Sequence, residues 1–189
     1  VRYEKGRVII HSSYKVDVAS CFFEGELSDY QELARKIYGV LNRKKLSRNT
    51  EISLSLPSYM VTHKIFRIKN VKLKDLDKHV KKQHDTLPKY NSMTYNSDWA
   101  YLGKREENDE TVRYCMVASV NKSYLLPILS EFEKRKLKVT TVSFPAYNLI
   151  SFGDLYANDY EHPNKLLLDF GQSSTRVVIE CEGVAVYSR

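Results

Sequence analysis

Apolar and polar positions along this chain alternate, cluster and recur in a way that divides it into short elements. Residues 1–18 carry β-prone side chains (Val8, Ile9, Ile10, Tyr14, Val16, Val18) beyond a turn at Glu4-Lys5-Gly6, which predicts two strands. Ser28-Asp29-Tyr30-Gln31 reads as a capping box in which Ser28 and Gln31 satisfy each other's backbone donors. Tyr30, Leu33, Ala34, Ile37, Tyr38 and Leu41 recur at helical spacing and predict a helix over 29–43. After a polar, basic loop at 42–49, Glu51 to Leu56 alternates strictly, the mark of a half-buried strand, and Pro57-Ser58 ends it.

The alternation resumes from His63 to Lys69, and Leu73, Leu76, Val80 and Leu87 then predict a helix over 72–86. Residues 98–104 and 111–120 read as a hairpin around a loop at 106–110. Asn121 or Ser123 caps a helix bearing Leu125, Ile128, Leu129 and Phe132, with Pro127 close enough to its start to be tolerated. Residues 137–142 form a short strand. Pro145 suits the first position of a further helix that carries Ala146, Leu149, Ile150 and Phe152. In the last stretch, Leu166–Leu168, Val177–Ile179 and Val184–Tyr187 are three apolar runs separated by turns at 171–174 and at Glu182-Gly183. The order is β-β-α-β, then β-α-β-β-α, then β-α-β-β-β. The chain is therefore α/β, with mixed sheets expected.

Composition narrows the classes. At 42% hydrophobic and 28% charged residues the chain has a globular balance, and it has no apolar run of the length that spans a bilayer. Val1 to Lys5 reads as a strand edge and turn rather than a signal peptide, and the opening without Met and the stop inside a strand suggest a piece of a longer protein. Cys21, Cys115 and Cys181 are far apart in sequence and sit among apolar neighbours, so reduced core thiols are expected rather than a disulfide framework or zinc site. A net charge of +7 raises nucleic-acid binding. Against it, the densest basic run, Lys69 to Lys82, alternates with apolar residues and contains Asp75 and Asp77. That pattern fits the solvated face of an amphipathic helix, an acidic partner or an anionic membrane surface being its other uses. Trp99 and the tyrosines fall at strand spacing, where they pack sheets rather than stack on bases. No nucleic-acid partner is expected.

One turn carries candidate chemistry. Asp169-x-Gly171-x-x-x-Thr175 joins a carboxylate, a glycine that lets backbone approach closely, and hydroxyls beside inward-pointing amides. Such a nest can cradle phosphate oxygens while the carboxylate holds a hydrated Mg²⁺; the bland alternative is a β-hairpin with a polar tip. Elsewhere the patterns fail. His79 and His84 fall on different helix faces, no Ser/His/Asp set is arguable, and neither a P-loop nor Cys-x-x-Cys occurs. No catalytic residue is assigned.

Four stretches together resemble the actin-like ATPase superfamily and, within it, the FtsA/PilM family. They are Leu27-Ser28-Asp29 through Leu41; Ile52–Ser58 with Lys64–Ile68; Tyr114–Ser119 with Leu137-Lys138-Val139; and Asp169–Thr175 with Glu182-Gly183 and Tyr187-Ser188-Arg189. The resemblance spans the chain in order. It implies an actin-like (ribonuclease H-like) fold, with residues 1–56 and 143–189 as a partial subdomain 1A and residues 57–142 as the inserted 1C subdomain. The Leu56-Pro57-Ser58 junction and the long strand from Asp98 favour the pilus-assembly branch over the FtsA-like membrane-associated division filament, which is the alternative. A sugar- or acetate-kinase-like enzyme of the superfamily fits least, because the basic insertion is long and a second Asp turn is missing.

The resemblance implies a cytoplasmic scaffold of type IV pilus assembly at the inner face of the cell membrane. It would bind the cytoplasmic tail of a single-span, PilN-like inner-membrane protein, along with other assembly proteins, and meet the membrane only through that partner. The resemblance implies ATP and Mg²⁺ for the full-length protein, a weak ATPase activity among its expectations, and neither ligand for this stretch alone. Asp169, Gly171, Gln172, Ser173, Ser174 and Thr175 would hold nucleotide, with Asp169 on the metal. The 57–68 segment and the 111–120 strand would line the partner groove, with Ile65, Ile68, Tyr114 and Met116 as candidate contacts. As an insertion, 57–142 should be separable from its host.

Overall fold

A computed structural model describes residues 2–4, 7–10, 13–43, 51–87, 91–155, 163–171 and 174–189. The strands are β1 (Arg2–Glu4), β2 (Arg7–Ile9), β3 (Phe22–Phe23), β4 (Glu26–Leu27), β5 (Glu51–Ser55), β6 (Val61–Lys69), β7 (Tyr95–Glu107), β8 (Glu110–Asn121), β9 (Lys138–Ser143), β10 (Lys165–Phe170), β11 (Thr175–Cys181) and β12 (Val184–Ser188). The helices are α1 (Tyr30–Arg43), α2 (Leu76–Asp85), α3 (Lys122–Lys134) and α4 (Pro145–Leu155). The fold is mixed α/β, and no described helix is long and apolar enough to cross a membrane.

The chain divides into two compact units, Val1–Glu51 with Pro127–Lys138, and Ile52–Leu126 with Val139–Arg189. The first holds α1 and two short hairpins, β1–β2 and β3–β4. Of the sequence reading at 1–18, the Lys5-Gly6 turn lies outside the described residues, and Tyr14, Val16 and Val18 stand in no strand. The β3–β4 hairpin was not expected. It turns at Glu24 and Gly25, both at positive φ (50° and 84°), with only two residues in each strand.

The cap of α1 also differs from the expected box. The Glu32 N–H donates to Asp29 Oδ1 at 2.8 Å, so Asp29 is the cap, while Ser28 Oγ donates to the Cys21 carbonyl at 3.3 Å. Later in this unit, Arg135 binds Glu131 at 2.7 Å one turn back and reaches the Gln31 carbonyl at 3.3 Å.

The second unit is built on two three-stranded antiparallel sheets, β6-β8-β7 and β10-β11-β12. β5 pairs with β9. Glu51 meets Lys138 where both strands begin, and the Leu56 N–H donates to the Ser143 carbonyl where both end, so these two run parallel, which requires the long crossover between them. The β7–β8 loop is tighter than expected. Glu107 pairs with Glu110 across Asn108 and Asp109, both left-handed, which Asn and Asp accept more readily than other residues.

β8 is the organising strand. It lies between β6 and β7 and buries both faces, which explains why its sequence is a near-continuous apolar run. Cys115 and Val117 face α2 and pack with Phe66, Ile68, Leu76 and Val80, Trp99 lying against them. Met116 faces the other way, into a cluster with Phe144, Ala146, Ile150, Val178 and Ala185. Val112 and Tyr114 join Val184 of β12 on that same face. Residues from 57–142 and from 143–189 therefore contribute to one core. Burial raises the Cys115 thiol to about 11, leaving it protonated and inert.

Glu180 is the exception in this core. It is 1% exposed, and neither carboxylate oxygen has a hydrogen-bond partner among the described residues; Lys165 Nζ stands 3.7 Å away. Burial raises its pKa above the ordinary carboxylate value, with Lys165 opposing and Asp154 adding to the rise. Below the unfolded-state value both states are protonated and Glu180 has no effect. As pH rises through the window between the unfolded and the higher folded value, the unfolded state releases its proton first and stability falls. Thermal melts across that window should show this decline in the native protein and a flatter profile in Glu180→Gln. Parallel profiles would mean that Glu180 does not titrate differently on folding.

Candidate functional site

The Asp169 turn is set by the β10–β11 register. Asp169 pairs across the ladder with Arg176, and Phe170 with Thr175, leaving Gly171 to Ser174 as the loop. The Gly171 N–H donates to the Ser174 carbonyl at 3.0 Å. A Cβ on Gly171 would lie 2.8 Å from that carbonyl oxygen, so the close backbone approach requires glycine. Ser174 and Thr175 are exposed; Gln172 and Ser173 lie outside the described residues.

Asp169 is not a free carboxylate. Its Oδ2 accepts from Arg176 Nη1 at 2.6 Å, and Arg176 Nε donates to Ser58 Oγ at 3.0 Å. The turn is thus tied to the segment that follows β5. Beside it lies a small cleft of about 130 Å³, floored by Val61, Phe144 and Ala146 and rimmed by Ser174, Thr175, Arg176 and Arg189. His63 enters the same cleft, packed 5.1 Å from the Phe144 ring, with Nε2 2.9 Å from Ser188 Oγ. Burial lowers the His63 pKa, so the ring is neutral at pH 7.

Chemically, this rim offers two guanidinium groups and two exposed hydroxyls, a donor set suited to phosphate oxygens. For a cation the fit is narrower. No group of three His, Cys, Asp or Glu converges among the described residues. Asp169 alone would hold Mg²⁺ only with phosphate and water completing the shell, and only once Arg176 gives up its bond.

The four partner-groove candidates lie in the β6-β8-β7 sheet rather than on its surface. Ile68, Tyr114 and Met116 are 2%, 3% and 2% exposed, and Ile65 is half-buried. Ile65 pairs with Met116 and Arg67 with Tyr114. The Tyr114 hydroxyl donates to Glu107, which Arg67 also holds. What this region leaves without a strand partner is the outer edge of β6, since β6 pairs only with β8 among the described residues.

Sequence reasoning missed Arg176, Ser58, His63 and Arg189 at the cleft. Arg176 was within reach, because a residue seven after Asp169 across this turn is its ladder partner; Ser58 lies 118 residues away and gave no signal. A second polar group was also unforeseen. Ser119 Oγ lies 2.8 Å from Ser97 Oγ and 3.1 Å from His84 Nε2. Asp85 stands 3.9 Å from His84 Nδ1, beyond hydrogen-bonding distance, so the three do not assemble a serine nucleophile; the contacts join α2 to the sheet.

No known protein family's sequence profile matches the chain. No curated protein matches it in sequence. Among solved structures, a chain of a "PilM-PilN type IV pilus biogenesis complex" superposes with a TM-score of 0.70 over 92% of this chain, at 19% identity. The present chain spans about half, 51%, of that solved chain. At this identity the likeness establishes architecture: the chain shares the mixed α/β fold of a component of a type IV pilus biogenesis complex.

Proposed function

We propose that this chain is part of an actin-like nucleotide-binding scaffold of type IV pilus assembly, working at the inner face of the cell membrane. In this reading it binds the cytoplasmic tail of a bitopic, PilN-like protein. The observation that carries the reading is the fold likeness to a chain of the PilM–PilN complex over nearly the whole of this one. The family resemblance of the Asp169 turn, and the phosphate-compatible rim beside it, support the nucleotide part. Residues 1–56 with 143–189, and residues 57–142, would correspond to subdomains 1A and 1C.

An extended tail would pair with the outer edge of β6, backbone bonds supplying affinity and alternate side chains specificity. Ile65 would lie nearest it. Ile68, Tyr114 and Met116, being buried, would support the strand rather than touch the tail. For nucleotide, Ser174, Thr175, Arg176 and Arg189 would face phosphate, and Asp169 would turn from Arg176 to the metal's water shell.

The test of the nucleotide site is Asp169→Ala in the full-length protein. Titration calorimetry should show Mg·ATP affinity at least about tenfold weaker, the loss of one charge-assisted contact. Melting temperature should barely move, because Asp169 is half-exposed and such pairs contribute about 0–1 kcal/mol. A lower melting temperature with unchanged affinity would make Asp169 a structural residue of the hairpin.

A further inference from the structure

We infer that the turn leading into α2, together with the exposed ridge of that helix, is a docking surface for an anionic lipid membrane. Leu73 is 62% exposed at the 3-10 turn Leu73–Asp75, flanked by the exposed Lys72 and Lys74. Lys74, Lys78 and Lys82 follow at intervals of four, which places them along one side of the helical segment, away from the buried Leu76 and Val80. These four lysines carry no ion pair or hydrogen bond among the described residues. Other charges nearby are already matched: Lys81 holds Asp77 at 2.8 Å and Lys69 holds Glu110 at 2.6 Å. Asp77 also accepts from Trp99 Nε1 at 2.9 Å, which turns it toward the sheet.

Asp75 and Asp85 are the acids of the segment outside these pairs. Their short side chains stay near the backbone, while lysine stems extend their charge outward to a surface the acids do not reach. An apolar side chain protruding between lysines matches the boundary of a bilayer, where acyl chains lie just beneath charged headgroups. Nucleic acid fits less well. It would use the lysines but leave Leu73 without a role, and the ridge carries no arginine, phenylalanine, tyrosine or tryptophan for stacking.

The contact is weak by design. Each lysine near an anionic surface raises partition about fivefold, and Leu73 adds roughly tenfold when its side chain leaves water. Four lysines and one leucine give reversible docking, suited to orienting a protein at a membrane rather than anchoring it there.

Vesicle flotation with the complete chain tests the proposal, using vesicles of phosphatidylcholine alone and of phosphatidylcholine with phosphatidylglycerol. The chain should float with the phosphatidylglycerol vesicles only, and less so as salt rises. Lys72→Ala/Lys74→Ala/Lys78→Ala should reduce binding by about 100-fold and Leu73→Asn by about tenfold. All four positions are exposed, so unchanged circular dichroism confirms that the variants remain folded. Equal flotation with both vesicle types, or none with either, overturns the inference. So does binding that needs the lysines but is indifferent to Leu73→Asn and is displaced by duplex DNA, which would make the ridge a site for nucleic acid.

Discussion

Gly103→Ala is expected to destabilise the protein by about 3 kcal/mol, a drop of roughly 6–12 °C in melting temperature. Two causes add. Gly103 has φ of +138°, a conformation that residues with a Cβ rarely adopt, and it follows the register shift that lets β7 bend beside β8. A Cβ there would also stand 2.7 Å from Val184 Cγ2, at the contact between β12 and the sheet. The steric part should be separable. In Gly103→Ala/Val184→Ala the clash disappears while the backbone strain persists, so the double variant should be more stable than the sum of the single losses implies. Strict additivity would mean that β12 does not press on this bend.

Excision of residues 57–142, with Leu56 joined to Ser143, is expected to abolish cooperative unfolding altogether. The cut removes Met116, Val112 and Tyr114, and with them the packing for Phe144, Ile150, Val178, Val184 and Ala185. Each such loss costs about 2–5 kcal/mol, so the sum exceeds the total stability of an ordinary domain, about 5–15 kcal/mol. β9 would go too, leaving β5 without the strand it pairs with. A sharp thermal transition with native-like circular dichroism in the excised protein would show that residues 143–189 hold a core of their own.

The sequence made α1, β5, β6 and the last three strands legible because each has a clear period or a distinct turn. It left open which of two adjacent cap-competent residues acts: Ser28 and Asp29 both precede the helix, and only the path of the chain past Cys21 draws Ser28 away. β3 and β4 escaped notice because two residues cannot display a period. β8 was legible as the second strand of a hairpin, while its place between β6 and β7 depends on long-range pairing. Tyr114 and Met116, named as partner contacts, lie in that strand with both faces covered, an arrangement that depends on the order of the sheet rather than on the strand's own residues. At the candidate site the turn was readable from Asp169, Gly171 and Thr175. The partner that holds Asp169 depends on register, and Ser58, which holds that partner, depends on tertiary packing.

Central to the proposed function is that the chain would grip an extended tail of a bitopic pilus-assembly protein. The measurement that tests it most directly is titration calorimetry of the folded chain with a synthetic peptide of a PilN-like cytoplasmic tail, beside a scrambled peptide of the same composition. One saturable site with micromolar affinity is expected for the native order, with little binding of the scrambled peptide and little loss at high salt, because backbone pairing and apolar pockets rather than charge would hold the tail. No binding by the folded chain, or equal binding of both peptides that vanishes with salt, would contradict it.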